Sequence, residues 1–464
     1  MVANNKVTRR TAMAAAGVGA AAVTYTALRR PAQKTRAAQN QIRYGMIGTG
    51  DRGSFLLRRL QSVDNGRCVA LCDIYRPNLD AAAALVNGGK PKLYTDYREM
   101  LALNELDAVL VATPLFAHFA PTRDALLAGK HVFCEKSVVF HAEEVHALRA
   151  LVNERPRQVF QAGLQRRYSP FYQAAIEMIR KGLIGEVTHV RAQWHRNGAG
   201  RRPVADKKLE RQINWRFYRE YSGGLTAELA SHQMDVADWV FGTHPEFVCG
   251  VGGIDYWKDG RETYDNINLI FKYPKGQKLL YSAILTNGHM DILRGARPMF
   301  AESIMGTGGT IEITIGDAAN PAVGPAIGVW YREPNAPKPE KGKTAENWVA
   351  GATVSTVSTK SAGLPLLLPK DQITPADSFL EKEAKFARRW LYKQGIVMPE
   401  EERNPVEISL EDFFRCSMEG GRPKADVEVG LWDSAGVILS NLAMDEGRRV
   451  YYSEIDGMGR RVAS

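Results

Sequence analysis

The hexapeptide Gly48-Thr49-Gly50-Asp51-Arg52-Gly53 limits how this chain folds more than any other feature. It follows a short strand-like run, Ile42-Arg43-Tyr44-Gly45-Met46-Ile47, and leads into a helical pattern carrying Phe55, Leu56, Leu57 and Leu60. Glycines at this spacing have three separate tasks: a tight turn at Gly48, close backbone approach to a pyrophosphate at Gly50, and helix–strand packing at Gly53. The free N–H groups at the helix start then meet the phosphate charge. Alone, the pattern is common in glycine-rich turns; here the context is specific. A second strand, Cys68-Val69-Ala70-Leu71-Cys72, ends at Asp73, 20 residues beyond Gly53, where an acid binds the ribose of a dinucleotide. Such an acid repels a 2′-phosphate, so NAD is preferred, with Arg76 leaving NADP open.

The alternation continues. Asp107–Ala112 reads as a buried strand ending in Thr113-Pro114, with His118 after it. A helix over Pro121–Ala128 stops at Gly129, His131–Cys134 delivers Glu135-Lys136, and Gln158–Ala162 closes the unit at Gly163. Strands alternating with helices in this way predict an α/β fold, a doubly wound parallel sheet of Rossmann type, with ligands at the carboxyl ends of the strands.

The 464 residues suffice for two domains. The formal charge of +10 suggests nucleic acid until it is located. Residues 1–43 hold eight basic residues and no acid, so the remainder carries only +2, too little for a phosphate-tracking surface. Arg9-Arg10 followed by the apolar stretch Ala12–Leu28 describes an export leader of the twin-arginine type over residues 1–40. The expectation is a periplasmic protein with no membrane span once mature; an uncleaved leader serving as anchor remains open. Five cysteines form no pair or Cys/His cluster with zinc spacing, so no metal is expected.

The order of motifs resembles the Gfo/Idh/MocA oxidoreductases, the group of glucose–fructose oxidoreductase and inositol dehydrogenase. It consists of the fingerprint, Ala112-Thr113-Pro114 with His118, Glu135-Lys136, Gly163-Leu164-Gln165-Arg166-Arg167-Tyr168, Gly223-Gly224, Glu228 with His232 and Asp235, and Arg422-Pro423. The resemblance implies a C-terminal α+β domain on an open, mostly antiparallel sheet that often mediates homo-oligomers. Domains are placed at 41–165 and 166–450, with a long loop at 333–377 and a tail at 451–464. Cofactor contacts are expected from Gly48, Thr49, Gly50, Asp51, Arg52, Gly53, Asp73, Thr113, Pro114, His118, Glu135, Lys136, Gln165, Trp215 and Arg216. Tyr168, Tyr221 and His232 are expected near substrate. Two positions depart from the family: Ser137 stands where Pro usually follows the lysine, and Glu228 where Asp is usual.

Oxidising an alcohol needs a base for the hydroxyl proton while hydride leaves for nicotinamide. Lys136, just past a strand end, is placed to polarise or deprotonate the hydroxyl. Leu225–Phe241 reads as one helix, on which Glu228, His232 and Asp235 share a face. His232 is read as base and the two carboxylates as its orienters; a divalent metal on the same trio ranks lower.

The expected activity is oxidation of a ring CH–OH of a sugar, glycoside or polyol with tightly bound NAD. Two alternatives remain. One is a redox-neutral glycosidase working through a transient 3-keto sugar, with Tyr168, Tyr218 or Tyr221 as second base. The other is a non-catalytic sugar-binding protein on the same fold.

Overall fold

The computed structural model describes residues 41–293, 299–315, 326–332, 364–365, 375–396 and 403–456. The expected leader at 1–40 and most of the expected 333–377 loop lie outside them. Six parallel strands build the first sheet: β1 (Ile42–Ile47), β2 (Gly66–Cys72), β3 (Lys92–Tyr94), β4 (Ala108–Val111), β5 (His131–Cys134) and β6 (Phe160–Ala162). Their order is β3-β2-β1-β4-β5-β6. The chain winds outward from β1 in both directions, so the crossovers part between β1 and β4 and a crevice opens there. All four residues of β4 are buried, as the continuous apolar run requires of a strand covered on both faces. Register aligns the strand ends: Ile47 pairs with Cys72 and Val111, and Val111 with Cys134. Gly48, Asp73, Ala112 and Glu135 therefore leave the sheet in one row.

Between the strands run α1 (Asp51–Leu60), α2 (Phe119–Leu127) and α3 (Ala142–Asn153), and α4 (Pro170–Arg180) leads to the second sheet. That sheet contains β7 (Val187–His195), β8 (Phe247–Gly253), β9 (Asn266–Lys272), β10 (Lys278–Ile284), β11 (Phe300–Gly306), β12 (Gly309–Thr314), β13 (Ile327–Arg332), β14 (Leu364–Pro365) and β15 (Val450–Tyr451). Its order is β14-β13-β12-β11-β7-β10-β9-β8-β15, antiparallel except for the β7–β10 pair. Strand β11 is not legible as a strand because Glu302 interrupts its apolar pattern. The fold buries that carboxylate completely, against Arg166 and a 2.5 Å hydrogen bond from the Tyr172 hydroxyl.

Helices α5 (Ser231–Phe241), α6 (Phe379–Lys393), α7 (Pro405–Glu419) and α8 (Val427–Glu446) complete the fold. The residues from Ile42 onward cluster as one unit. Three expectations change. Helix α7 was not expected; Asn404 caps it, Pro405 opens it and left-handed Gly420 ends it. It packs under the first sheet, with Phe414 stacked on Tyr44 at 5.3 Å and Phe413 edge-on to Phe133 at 5.9 Å. Residues 405–419 thus belong to the core of the dinucleotide domain, and the division at 165/166 does not describe it. Nor does a free tail begin at 451: Val450 is fully buried and Tyr451 pairs with Phe247. Finally, the helix expected over Leu225–Phe241 is a π-helical turn at Thr226–Ala230 followed by α5.

Candidate active site

The row of strand ends forms the floor of a cleft of about 480 Å³. At its first end, Gly48 adopts φ +88°, and a Cβ there would sit 2.7 Å from the Ala112 carbonyl. A Cβ on Gly50 would meet only Asn78 Nδ2, at 3.7 Å, so this backbone is open to a ligand. Helix α1 starts at Gly50 with no side-chain cap, leaving its first N–H groups for an anion. The Asp73 carboxylate is held in place by Thr49 N at 2.7 Å and Thr49 Oγ1 at 3.1 Å, both on Oδ2, and by Tyr75 N at 2.8 Å on Oδ1. An open glycine turn, uncapped N–H groups and an oriented acid fit the pyrophosphate and ribose of a dinucleotide.

At the other end stands Lys136. Its Nζ donates to the carbonyls of Ala227, at 2.5 Å, and Glu228, at 2.9 Å, both in the π-helical turn. Removal from water lowers its pKa; Glu228, Asp433 and Glu135 oppose that shift. His232 also lines the cleft and stacks on Trp194 at 6.1 Å. Burial pushes its pKa well below the usual value, and Lys136, Arg166 and Arg52 add to the shift, so the imidazole is neutral at neutral pH. Burial works against the Glu228 carboxylate, yet Arg216, 2.7 Å away, and Lys136 outweigh it and hold its pKa low. Arg216 in turn lies over the Trp215 ring, 4.3 Å from its centroid.

The cleft gathers Gly48, Gly50, Asp51, Arg52, Asp73, Thr113, Pro114, His118, Glu135, Lys136, Trp215, Arg216, Glu228 and His232. Six other expected residues do not line it. Thr49 acts through Asp73, and Gly53 packs against the Gly48 carbonyl, where a side chain has no room. Gln165 lies in the turn after β6 and is not among the residues of the cleft wall. Tyr168 is a core residue whose hydroxyl accepts from Ala425 N at 3.3 Å. Tyr221 packs on Phe116, ring centroids 4.9 Å apart. Asp235 forms a buried pair with Arg167 at 2.7 Å. Neither Asp235 nor Glu228 hydrogen-bonds His232, so the orienting role read from the helical stripe does not hold. The π-helical turn breaks the 3.6-residue period that put the three on one face.

Two cleft residues also hold together the loops around it. His118 places Nδ1 2.7 Å from the Ser137 carbonyl and Nε2 2.9 Å from the Thr113 carbonyl, tying two strand-end loops together. Glu135 accepts from Arg52 Nε at 2.7 Å and so joins α1 to the lysine loop. Sequence reasoning missed Arg202, Leu209, Gln212 and Ile213, which come from the second domain and line the cleft. Arg202 pairs there with Asp51. The only signal was an Arg-rich stretch between a strand and the Asn214-Trp215 segment, which carries no spacing rule.

The chain matches the model of the GFO/IDH/MocA oxidoreductases with an NAD-binding Rossmann fold over residues 42–163, and that family's C-terminal domain over 172–312. The chain belongs to this family. An uncharacterized oxidoreductase of Synechocystis is 31% identical over 198 residues, which cover 42% of this chain and 50% of the relative. The chain thus spans about half the length of that curated relative. A glycosyl hydrolase family 109 protein of Streptomyces niveus is 34% identical over 158 residues, 32% of each chain. Among solved structures, scyllo-inositol dehydrogenase from Lactobacillus casei with bound NAD(H) and scyllo-inositol superposes with a TM-score of 0.60 at 18% identity, covering 89% of this chain and 99% of that one. At that identity the likeness concerns the fold.

Proposed function

We propose that this cleft oxidises a ring hydroxyl of a sugar or polyol, with hydride passing to NAD. The observation that carries the reading is the hydrogen bonding of Lys136. Two carbonyls, which only accept, take two of its N–H groups. The remaining tetrahedral position, a proton in the ammonium or a lone pair in the amine, is left for a substrate oxygen. The lowered pKa makes the ammonium proton easier to lose, and in the amine form Nζ takes the hydroxyl proton as the C–H bond is broken. Neutral His232 is placed to hydrogen-bond the same or a neighbouring hydroxyl and fix the ring. When bound, the nicotinamide supplies the hydride acceptor. Asp73 favours NAD over NADP, and Arg76 is engaged with Asp80 at 2.9 Å.

The Arg9-Arg10 leader supports an exported protein that keeps its cofactor. Exposed Val251, Ile270 and Leu280 lie together on one face of the second sheet and support a homo-oligomer through it.

The test is to identify the dinucleotide released from purified protein, then to supply NAD with a panel of cyclitols, sugars and aryl glycosides. NADH formed with a keto product supports the proposal. Glycoside cleavage without NADH establishes the second reading, which the similarity to the family 109 glycosyl hydrolase favours. None of Tyr168, Tyr218 and Tyr221 lines the cleft to serve it as second base. Bound sugar without turnover establishes a binding protein.

A further inference from the structure

Asp433, on α8, is 1% exposed and is not part of the cleft wall. Its Oδ2 accepts a hydrogen bond from Ser137 Oγ at 2.9 Å, and its Oδ1 is buried with no hydrogen-bond partner among the described residues. The next residue, Ser434, accepts from Val138 N at 3.0 Å and donates to the Gly430 carbonyl at 2.8 Å. Two adjacent residues of one helix therefore hold the loop that carries Lys136. The bond to Ser137 depends on a hydroxyl at a position where proline has no donor.

A buried carboxylate with one oxygen unsatisfied is costly when ionised. Burial raises the Asp433 pKa to about 7; Asp235 adds to the rise, while the bond from Ser137 and the charges of Lys136 and Arg167 oppose it. Those are the groups that face it from the lysine loop, from α5 and from the turn after β6. Asp238 and Tyr452 are also within its field. The influence on Lys136 is mutual: an ionised Asp433 favours the ammonium, and a protonated one withdraws that support.

We propose that Asp433 is a positioning residue for Lys136, holding the lysine loop through Ser137 and setting, by its own charge, the proton affinity of the lysine amine. As an account of catalysis this rests on Lys136 being the proton acceptor of the proposed oxidation. The test reads the lysine directly and needs no turnover. Protein labelled with ¹³Cε-lysine is titrated by NMR, with the Lys136 resonance assigned by its loss in Lys136→Arg. In Asp433→Asn the Lys136 midpoint falls by about one pH unit or more, the usual effect of removing a neighbouring opposite charge. Ser137→Ala, which keeps the carboxylate but makes it harder to ionise, shifts the midpoint the same way by less, and it decides the matter if the asparagine variant does not fold. An unchanged midpoint in a folded variant overturns the proposal. If the substrate panel gives no turnover at all, the oxidation reading falls while the titration result stands.

Discussion

Lys136 reaches Glu228 through the backbone: its Nζ lies 2.9 Å from the Glu228 carbonyl oxygen, while the Glu228 carboxylate turns to Arg216. The two residues therefore contribute differently. Lys136→Met removes the group that receives the substrate proton, and kcat falls by about 10²–10⁴, the usual share of general-base catalysis. Glu228→Gln keeps both carbonyls and costs much less. Steady-state NADH formation on the best panel compound checks both, with NAD affinity retained in each variant.

Asp73→Ala removes the acceptor that Thr49 and Tyr75 hold in place. A hydrogen bond to a charged group contributes about 1.5–3 kcal/mol, so NAD binding weakens roughly 10- to 100-fold. NADP binding changes less, because the same substitution removes repulsion of the 2′-phosphate. Fluorescence titration with both dinucleotides measures the ratio.

Arg202→Ala releases the second-domain segment from Asp51 at the dinucleotide end of the cleft. The pair is half exposed, with side chains 49% and 64% accessible, so folding stability changes by less than about 1 kcal/mol. The effect falls on cofactor retention: NADH leaves several-fold faster in a stopped-flow chase, and Tm without cofactor stays as in the parent.

Tyr168→Phe leaves turnover unchanged and lowers stability by about 1 kcal/mol, the loss of one buried hydrogen bond to Ala425 N. Urea unfolding alongside the substrate panel separates this from a role as second base, which would abolish glycoside cleavage.

The raised pKa of Asp433 has a consequence for stability. Its folded value, about 7, lies above the unfolded value near 3.8. Its contribution is therefore fully present below the unfolded pKa and is lost as pH rises through 7. Asp433→Asn carries no such dependence. The Tm of the variant minus that of the parent increases from pH 4 to pH 7 and levels off above it, as calorimetry across that range will show.

Much of the site was legible because the dinucleotide motif is local. Gly48, Gly50 and Asp73 are defined by spacing along one strand–turn–helix–strand unit, and Lys136 by its place at a strand end. Tyr168 and Asp235 were misplaced for one reason: neither a family motif, which named Tyr168, nor a helical stripe, which named Asp235, says which neighbour a buried side chain meets. Tyr168 meets Ala425 and Asp235 meets Arg167, partners 257 and 68 residues away in sequence.

What the sequence by itself determined is the doubly wound sheet, the row of strand ends and the class of ligand they receive, since each follows from hydrogen bonding and sterics within about thirty residues. The tertiary structure alone decided the rest: that Glu302 could be buried in a strand, that 405–419 completes the dinucleotide domain, and that the π-helical turn offers Lys136 two carbonyls. It also decided that Asp433 lies against the lysine loop. These depend on groups far apart in the chain being desolvated together, and a charge removed from water is set by whatever partner the fold brings to it.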